Sequence, residues 1–420
     1  MKTRAVRMYG AYDLRCEEFE LPEIKDDEIL VKIMSDSICM STYKLADQGL
    51  KHKRAPQNMA TNPIIVGHEC SGYIVEIGDK WKDKYKVGQK FALQPALNYQ
   101  GKLDSPGYSY EFCGGAATYC IMPHEVMELG CLLNYEGEAY FEASLGEPMS
   151  CCIGGYHANY HTNKKNYDHA MGTKEGGNII ILGGCGPMGL GAVSYGLCFK
   201  NKPKRIVVTD ISEDRIARAR EVISEEEAAA AGVELIYANT AAVDDEVAYL
   251  MGLTDGHGYD DVFVYIPNKA VAELGDKVMA FDGCMNFFAG PTDNQFSANI
   301  NLYNAHYTSA HILGTTGGNN DDLIESLELS AKGIINPAVM VTHVGGLDSV
   351  AETTCNLPKI PGGKKLAYTQ FDMPMTAIDD FEELGKTDPL FAKLDAACKA
   401  NKGLWNVEAE KILFDHFNVK

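Results

Sequence analysis

The chain has 420 residues, 45% of them hydrophobic, and a formal net charge of -20. That length predicts two or three domains at roughly 100–200 residues each, and that charge excludes nucleic acid or an anionic membrane as the main partner, because both need a broad basic surface. Thirteen cysteines at irregular spacings, and no apolar core in the opening "MKTRAVRMYG", predict reduced thiols in a soluble, cytoplasmic protein without a membrane span.

Residues 1–125 carry short β-rich runs, "EILVKIM", "NPIIVGHE", "GYIVEIG" and "ATYCIM", broken by Gly, Pro and Asn, which predicts a compact β domain. Within it "STYKLADQGLKHKRAP" sets Lys44, Lys51, Lys53, Arg54 and His52 against one acid, Asp47. In so acidic a chain, that much positive charge is a local device. From about Asn178 the pattern becomes strand, glycine turn, helix, strand: "NIIIL", "GGCGPMGLGA", "KRIVVTDI", "SEDRIARAREVISEEEAAAAG" and "YDDVFVYI". Strands alternating with helices predict a parallel sheet covered on both faces. The alanine-rich acidic stretch at 225–231 predicts a solvated helix. After about residue 310 helices and short strands mix again, and the tail "DPLFAKLDAACKANKGLWNVEAEKILFDHF" predicts one or two amphipathic helices.

Gly184-x-Gly186-x-x-Gly189 follows a β-branched strand and opens a helix, with Pro187 and Met188 between its last two glycines. Such a turn lets backbone approach a pyrophosphate and aims helix N-terminal amides at it. Asp210 ends the next strand, about 20 residues on, where a carboxylate accepts the ribose hydroxyls of a dinucleotide and repels a 2′-phosphate. This favours NAD(H) over NADP(H). Arg215 has two readings, a phosphate contact and a helix or solvent role.

Cys39, the pair His68 and Glu69, and Glu147 supply a thiolate, an imidazole and two carboxylates from three separated segments. These donors suit zinc, and three protein ligands leave the open position that Lewis-acid catalysis needs. Singly, each has an ordinary explanation: a lone Cys packs, and a Gly-His-Glu turn holds a hydrogen-bonded histidine.

Together, "SICMST", "VGHE", "GEP" and the glycine turn resemble, in order and separation, the zinc-containing medium-chain alcohol and polyol dehydrogenases. The likeness is to the polyol branch, which includes sorbitol and threonine dehydrogenases. It runs along nearly the whole chain, including "GGNNDDLIESLELSAKGIINPAVMVTH". The resemblance implies an α/β fold in which a GroES-like, β-rich catalytic domain is built from residues 1–150 and a C-terminal return at 311–420. It implies an inserted Rossmann domain with a doubly wound parallel sheet at 151–310, and an active site in the cleft between. It implies Cys39, His68 and Glu69 as ligands of one catalytic zinc, with Glu147 ligating the metal or holding its water. Hydride would then pass between substrate carbon and nicotinamide while zinc polarises the substrate oxygen. A homo-oligomer, dimer or tetramer, is also implied.

Ser41 falls where relatives keep a proton-shuttling hydroxyl, and Lys44 where several keep the histidine that ends the relay. Lys44 has two further readings, a phosphate contact and a solvated helix lysine. Two departures stand out. Cys39-Met40-Ser41-Thr42 replaces the usual Cys-Gly-Ser/Thr-Asp, which alters the pocket wall. Residues 95–115 hold only Cys113, and a closed structural zinc needs about four ligands, so no second zinc is expected.

In the family the chain after the ligand cysteine runs along the rim of the substrate cleft. Lys51, His52, Lys53 and Arg54 are therefore expected around the phosphate of a polyol or ketose phosphate, in the manner of the L-sorbose 1-phosphate reductase subgroup, whose "STYK" and "KHKR" style this segment shares. Clustered cations repel one another unless an anion joins them. The alternatives are a dehydrogenase of an unphosphorylated polyol or amino alcohol, with the basic stretch as a solvated loop or subunit contact, and a non-catalytic dinucleotide-binding member of the fold.

Overall fold

Every residue of the strand Asn178–Leu182 is buried, as expected of an all-apolar run in a sheet covered on both faces. In the computed structural model, which describes residues 1–163 and 167–419, this strand lies inside a six-stranded parallel sheet. The chain divides into two units, Met1–Pro148 with Asn319–Lys420, and Met149–Gly318.

The second unit is the Rossmann-type sheet. Asn178–Leu182 pairs on one side with Arg205–Asp210, which pairs with Glu234–Asn239. On its other side come Tyr259–Val264, Met279–Phe287 and His311–Leu313. The order therefore reverses beside the first strand, and the crevice at the carboxyl end of such a switch point is where ligands bind in open α/β sheets. Ile180, Leu182, Val207, Val262 and Leu274 form its core. Helix Glu225–Ala230 starts with a capping box between Ser224 and Glu227, in keeping with the helix expected there.

In the first unit the long strand Ile29–Ile38 is the spine. It pairs antiparallel with Lys364–Tyr368, Cys70–Ile77 and Tyr119–Met122. Three of the four β-rich runs read from residues 1–125 thus converge on it or form it, and the fourth supplies the short strand Ile64–Ile65. Its core gathers Val31, Ile33, Ile74 and Phe91 with the buried thiols Cys70, Cys113 and Cys120. The tail forms two helices, Pro389–Lys399 and Val407–His416. Glu410 ties the second to the β domain, because its carboxylate accepts the backbone N–H groups of Tyr140 and Phe141 at 2.7 and 2.9 Å and the hydroxyl of Tyr368 at 2.7 Å. Among the described residues no helix is long and apolar enough to cross a membrane.

Candidate metal centre and cofactor turn

Strand register assembles the candidate metal centre. Across the spine strand, Asp36 pairs with Cys70 and Ile38 with Lys365. The residues just beyond those pairs, Cys39, Glu69 and Lys364, therefore meet at one end of three adjacent strands. Gly67 has φ of +91°, and a Cβ there would fall 2.3 Å from Asp36 Oδ2, so glycine alone lets the chain turn here and present His68.

Cys39, His68 and Glu69 each offer a ligand atom, and these atoms all lie within 4.8 Å of one another. His68 and Glu69 are 4% and 1% exposed. Burial, and next the Glu69 carboxylate, push the Cys39 thiol up to about 12. Burial pushes the His68 imidazole down to about 4, leaving it neutral and able to donate a lone pair. A thiol so placed ionises when a cation takes the proton's place. A buried set of thiol, neutral imidazole and carboxylate fits zinc. Glu147, half-buried in the first turn of the helix Gly146–Ala158, acts electrostatically on both Cys39 and Lys364.

Lys364 answers to no motif. Its Nζ lies 2.7 Å from Glu69 Oε2 and also bonds Oε1, with side chains 8% and 1% exposed. Burial works to raise the Glu69 pKa, but Lys364, His68 and Ser37 together hold the carboxyl below its ordinary value. Burial likewise opposes the Lys364 charge, yet Cys39, Glu69 and Glu147 drive its pKa up.

Ser41 lies in the helix Met40–Gln48, which begins just after Cys39. Its hydroxyl donates to Cys39 Sγ at 3.0 Å and lies 3.2 Å from His68 Nε2. A second residue absent from the motifs, Tyr108, donates its hydroxyl to Ser41 Oγ at 2.8 Å. The same ring receives the basic segment: His52 stacks on it with centroids 5.7 Å apart and planes at 11°, and the Arg54 guanidinium carbon lies 5.2 Å from its centroid. Burial, then Arg54, Lys53 and Lys44, push the His52 pKa down to about 4. Near pH 7 it contributes a ring and hydrogen-bonding nitrogens rather than a charge. Lys51 and Lys53 are exposed on either side of it.

In the Rossmann unit Gly186 caps the helix Pro187–Gly196, with Pro187 in the first turn and Met188 after it. A Cβ on Gly189 would collide with the Gly184 carbonyl at 2.1 Å, whereas one on Gly186 would meet nothing within 4 Å. The first contact requires glycine, and the second leaves open backbone for a pyrophosphate to approach. Asp210 Oδ1 accepts the N–H groups of Ile211 and Ser212 at 2.8 and 3.0 Å and pairs with Arg215 Nη2 at 2.6 Å. Among the described residues the hydrogen bonds and the ion pair of this carboxylate fall on Oδ1.

Residues 25–130 match the alcohol dehydrogenase GroES-like domain family, and residues 187–332 match the zinc-binding dehydrogenase family. Over 418 residues the chain is 51% identical to mannitol-1-phosphate 5-dehydrogenase of Aliivibrio fischeri, covering 100% of this chain and 99% of that protein. The chain belongs to the zinc-containing medium-chain dehydrogenases. It is likewise 43% identical over 414 residues to L-sorbose 1-phosphate reductase of Klebsiella pneumoniae, covering 99% and 98% of the two chains. Among solved structures, 2R,3R-butanediol dehydrogenase from Bacillus subtilis superposes with a TM-score of 0.71 at 22% identity, covering 87% of this chain and 99% of that one. With this family come polyol dehydrogenase activity, zinc and a nicotinamide dinucleotide.

Proposed function

We infer that this zinc-dependent polyol oxidoreductase acts on a phosphorylated substrate, interconverting a polyol phosphate and the matching ketose phosphate with NAD(H). The observation that carries this reading is the docking of Arg54 and His52 on Tyr108, whose hydroxyl reaches the metal triad. A neutral polyol has no use for a cationic cluster packed on the same ring that meets His68. A phosphate monoester carries about -1.5 to -2 at pH 7 and takes charge-assisted hydrogen bonds worth roughly 1.5–3 kcal/mol each. Two relatives that align along the whole chain are named for mannitol 1-phosphate and L-sorbose 1-phosphate, which supports the same class.

In this reading Cys39 and His68, with the carboxylates of Glu69 and Glu147, hold the zinc, which when bound supplies Lewis-acid polarisation of the substrate oxygen. Ser41, whose hydroxyl lies 3.0 Å from Cys39 Sγ, is the group that would exchange a proton with that oxygen. A bound nicotinamide would take the hydride from the substrate carbon in the oxidative direction, and Ser41 would take the hydroxyl proton while releasing its own to bulk water. Arg54, Lys51 and Lys53 hold the phosphate, and Lys44, whose charge acts on His52, adds a fourth cation. His52 donates or accepts as a neutral ring. The turn Gly184, Gly186 and Gly189, with Pro187 and Met188, receives the pyrophosphate. Asp210 receives the ribose hydroxyls through Oδ2, and Arg215 fixes its orientation.

The test is a panel of polyol phosphates, ketose phosphates and the free sugars, assayed with NAD(H) and NADP(H) alongside metal analysis. One zinc per chain is expected. A preferred phosphate should exceed its free counterpart in kcat/KM by roughly 100-fold, the yield of two weak charge-assisted bonds. Equal efficiency on the free polyol would overturn the reading.

A further inference from the structure

Tyr108 is 5% exposed and touches both halves of the site. Its placement follows from backbone packing. Gly107, with φ of +77°, lies so close to Gly67 that a Cβ would fall 2.2 Å from the Gly67 carbonyl oxygen. The two glycines set Tyr108 directly against His68, with ring centroids 4.8 Å apart. Its hydroxyl donates to Ser41 Oγ at 2.8 Å and lies 3.3 Å from His68 Nε2, while Ser41 in turn donates to Cys39 Sγ at 3.0 Å. His52 and Arg54 pack on the ring. Ser109 continues the same turn and donates to the Arg54 carbonyl at 2.8 Å, so backbone as well as ring secures the basic segment.

We propose that Tyr108 is a positioning and specificity-determining residue that couples the metal centre to the phosphate-binding segment. Its hydroxyl orients Ser41 and, through it, the Cys39 sulfur, while its ring holds Arg54 and His52 at a set distance from His68. The ring half of this inference rests on the phosphate reading above; the hydroxyl half does not. A ring of fixed length between His68 and a guanidinium would measure the span of the substrate. Short sugar phosphates whose reacting oxygen and phosphate match that span are selected, and free sugars gain nothing from it.

The two halves separate in two variants of the full-length protein, each measured for zinc affinity by chelator competition and for the ratio of kcat/KM on sugar phosphate to that on free sugar. Tyr108→Phe keeps the ring, so its ratio should match the parent, while zinc affinity should fall by roughly 10- to 100-fold, as loss of an outer-shell partner does. Tyr108→Leu loses ring and hydroxyl, so its ratio should also fall, by roughly 5- to 30-fold, the range of a partly desolvated cation–π contact. Should the leucine variant fail to fold, His52→Ala replaces it, with the ratio reduced and zinc affinity unchanged. Parent-like zinc affinity in Tyr108→Phe overturns the hydroxyl half. A parent that favours the phosphate, with that preference intact in Tyr108→Leu or His52→Ala, overturns the ring half. A parent with no preference for phosphate instead refutes the substrate reading, and the zinc measurement still decides the hydroxyl half.

Discussion

Lys364 stands 295 positions from Glu69 in the chain and 2.7 Å from it in the fold. Removing one partner of a buried ion pair strands the other charge without water, which costs about 3–5 kcal/mol. Lys364→Met should lower the unfolding free energy of the metal-free protein by that amount in urea titrations, and Glu69→Gln in the same chain should recover much of the loss. Equal stability of Lys364→Met and parent would mean the pair is not formed. The grouping of Cys39, His68 and Glu69, whose ligand atoms lie within 4.8 Å of one another, was legible in the sequence because each sits in a short run whose donor types and spacing carry chemistry, whereas Glu147 stands outside that group. Lys364 and Tyr108 were not legible, because their partners are set by strand register and by a glycine contact between segments far apart in the chain. Residues 95–115 carry no local motif beyond a missing cysteine set, yet Tyr108 within them lies 3.3 Å from His68 Nε2.

At the scale of elements, the C-terminal helix Val407–His416 is held by the Glu410 carboxylate, which is 3% exposed. Burial raises its pKa from 4.5 to about 7, although hydrogen bonds from Tyr368, Tyr140 and Phe141 pull the other way. Between those two values the folded chain keeps a proton that the unfolded chain has released. The contribution of this group to stability therefore falls as pH rises through that window, by at most about 1.4 kcal/mol per unit, and levels off above it. Relative to Glu410→Gln, the parent should lose stability between pH 4.5 and 7 and hold a constant difference above pH 7. A difference that is flat across the whole range would refute the raised pKa. The tail helices were readable from their apolar spacing, but nothing local announced that a glutamate on one of them would cap the helix Tyr140–Ser144. In the Rossmann unit, the strand that ends in Asp210 leads to a cofactor prediction. Asp210→Ala should raise KM for NAD(H) by roughly 10- to 150-fold, the equivalent of one charged hydrogen bond of about 1.5–3 kcal/mol, with a smaller change for NADP(H). Better use of NADP(H) than NAD(H) by the parent would contradict this placement.

Over the whole molecule, a net charge of -20 repels an anionic substrate, and the stretch of Lys44 and Lys51 to Arg54 works against that field locally. The two contributions differ in sign under screening. As salt rises from about 0.1 M to 1 M the Debye length shrinks from roughly 10 Å to 3 Å. If the local cluster guides the phosphate, kcat/KM should fall over that range; if the global charge dominates, it should rise. The two units, a β-rich one completed by the C-terminal return and one built on a parallel α/β sheet, were readable because period-2 runs, glycine turns and all-apolar strands each carry their own pattern. The docking of the basic segment on one aromatic ring was not, since cation–π and stacking contacts leave no spacing signal. The most direct test of phosphate recognition at this site is the ratio of kcat/KM on a sugar phosphate to that on its free sugar, in the parent and in Lys53→Ala/Arg54→Ala. A parent ratio of roughly 100 that drops at least tenfold in the double variant, as loss of one or more charge-assisted bonds requires, is the predicted result. A parent ratio near one, or a ratio unmoved by the double variant, would contradict it.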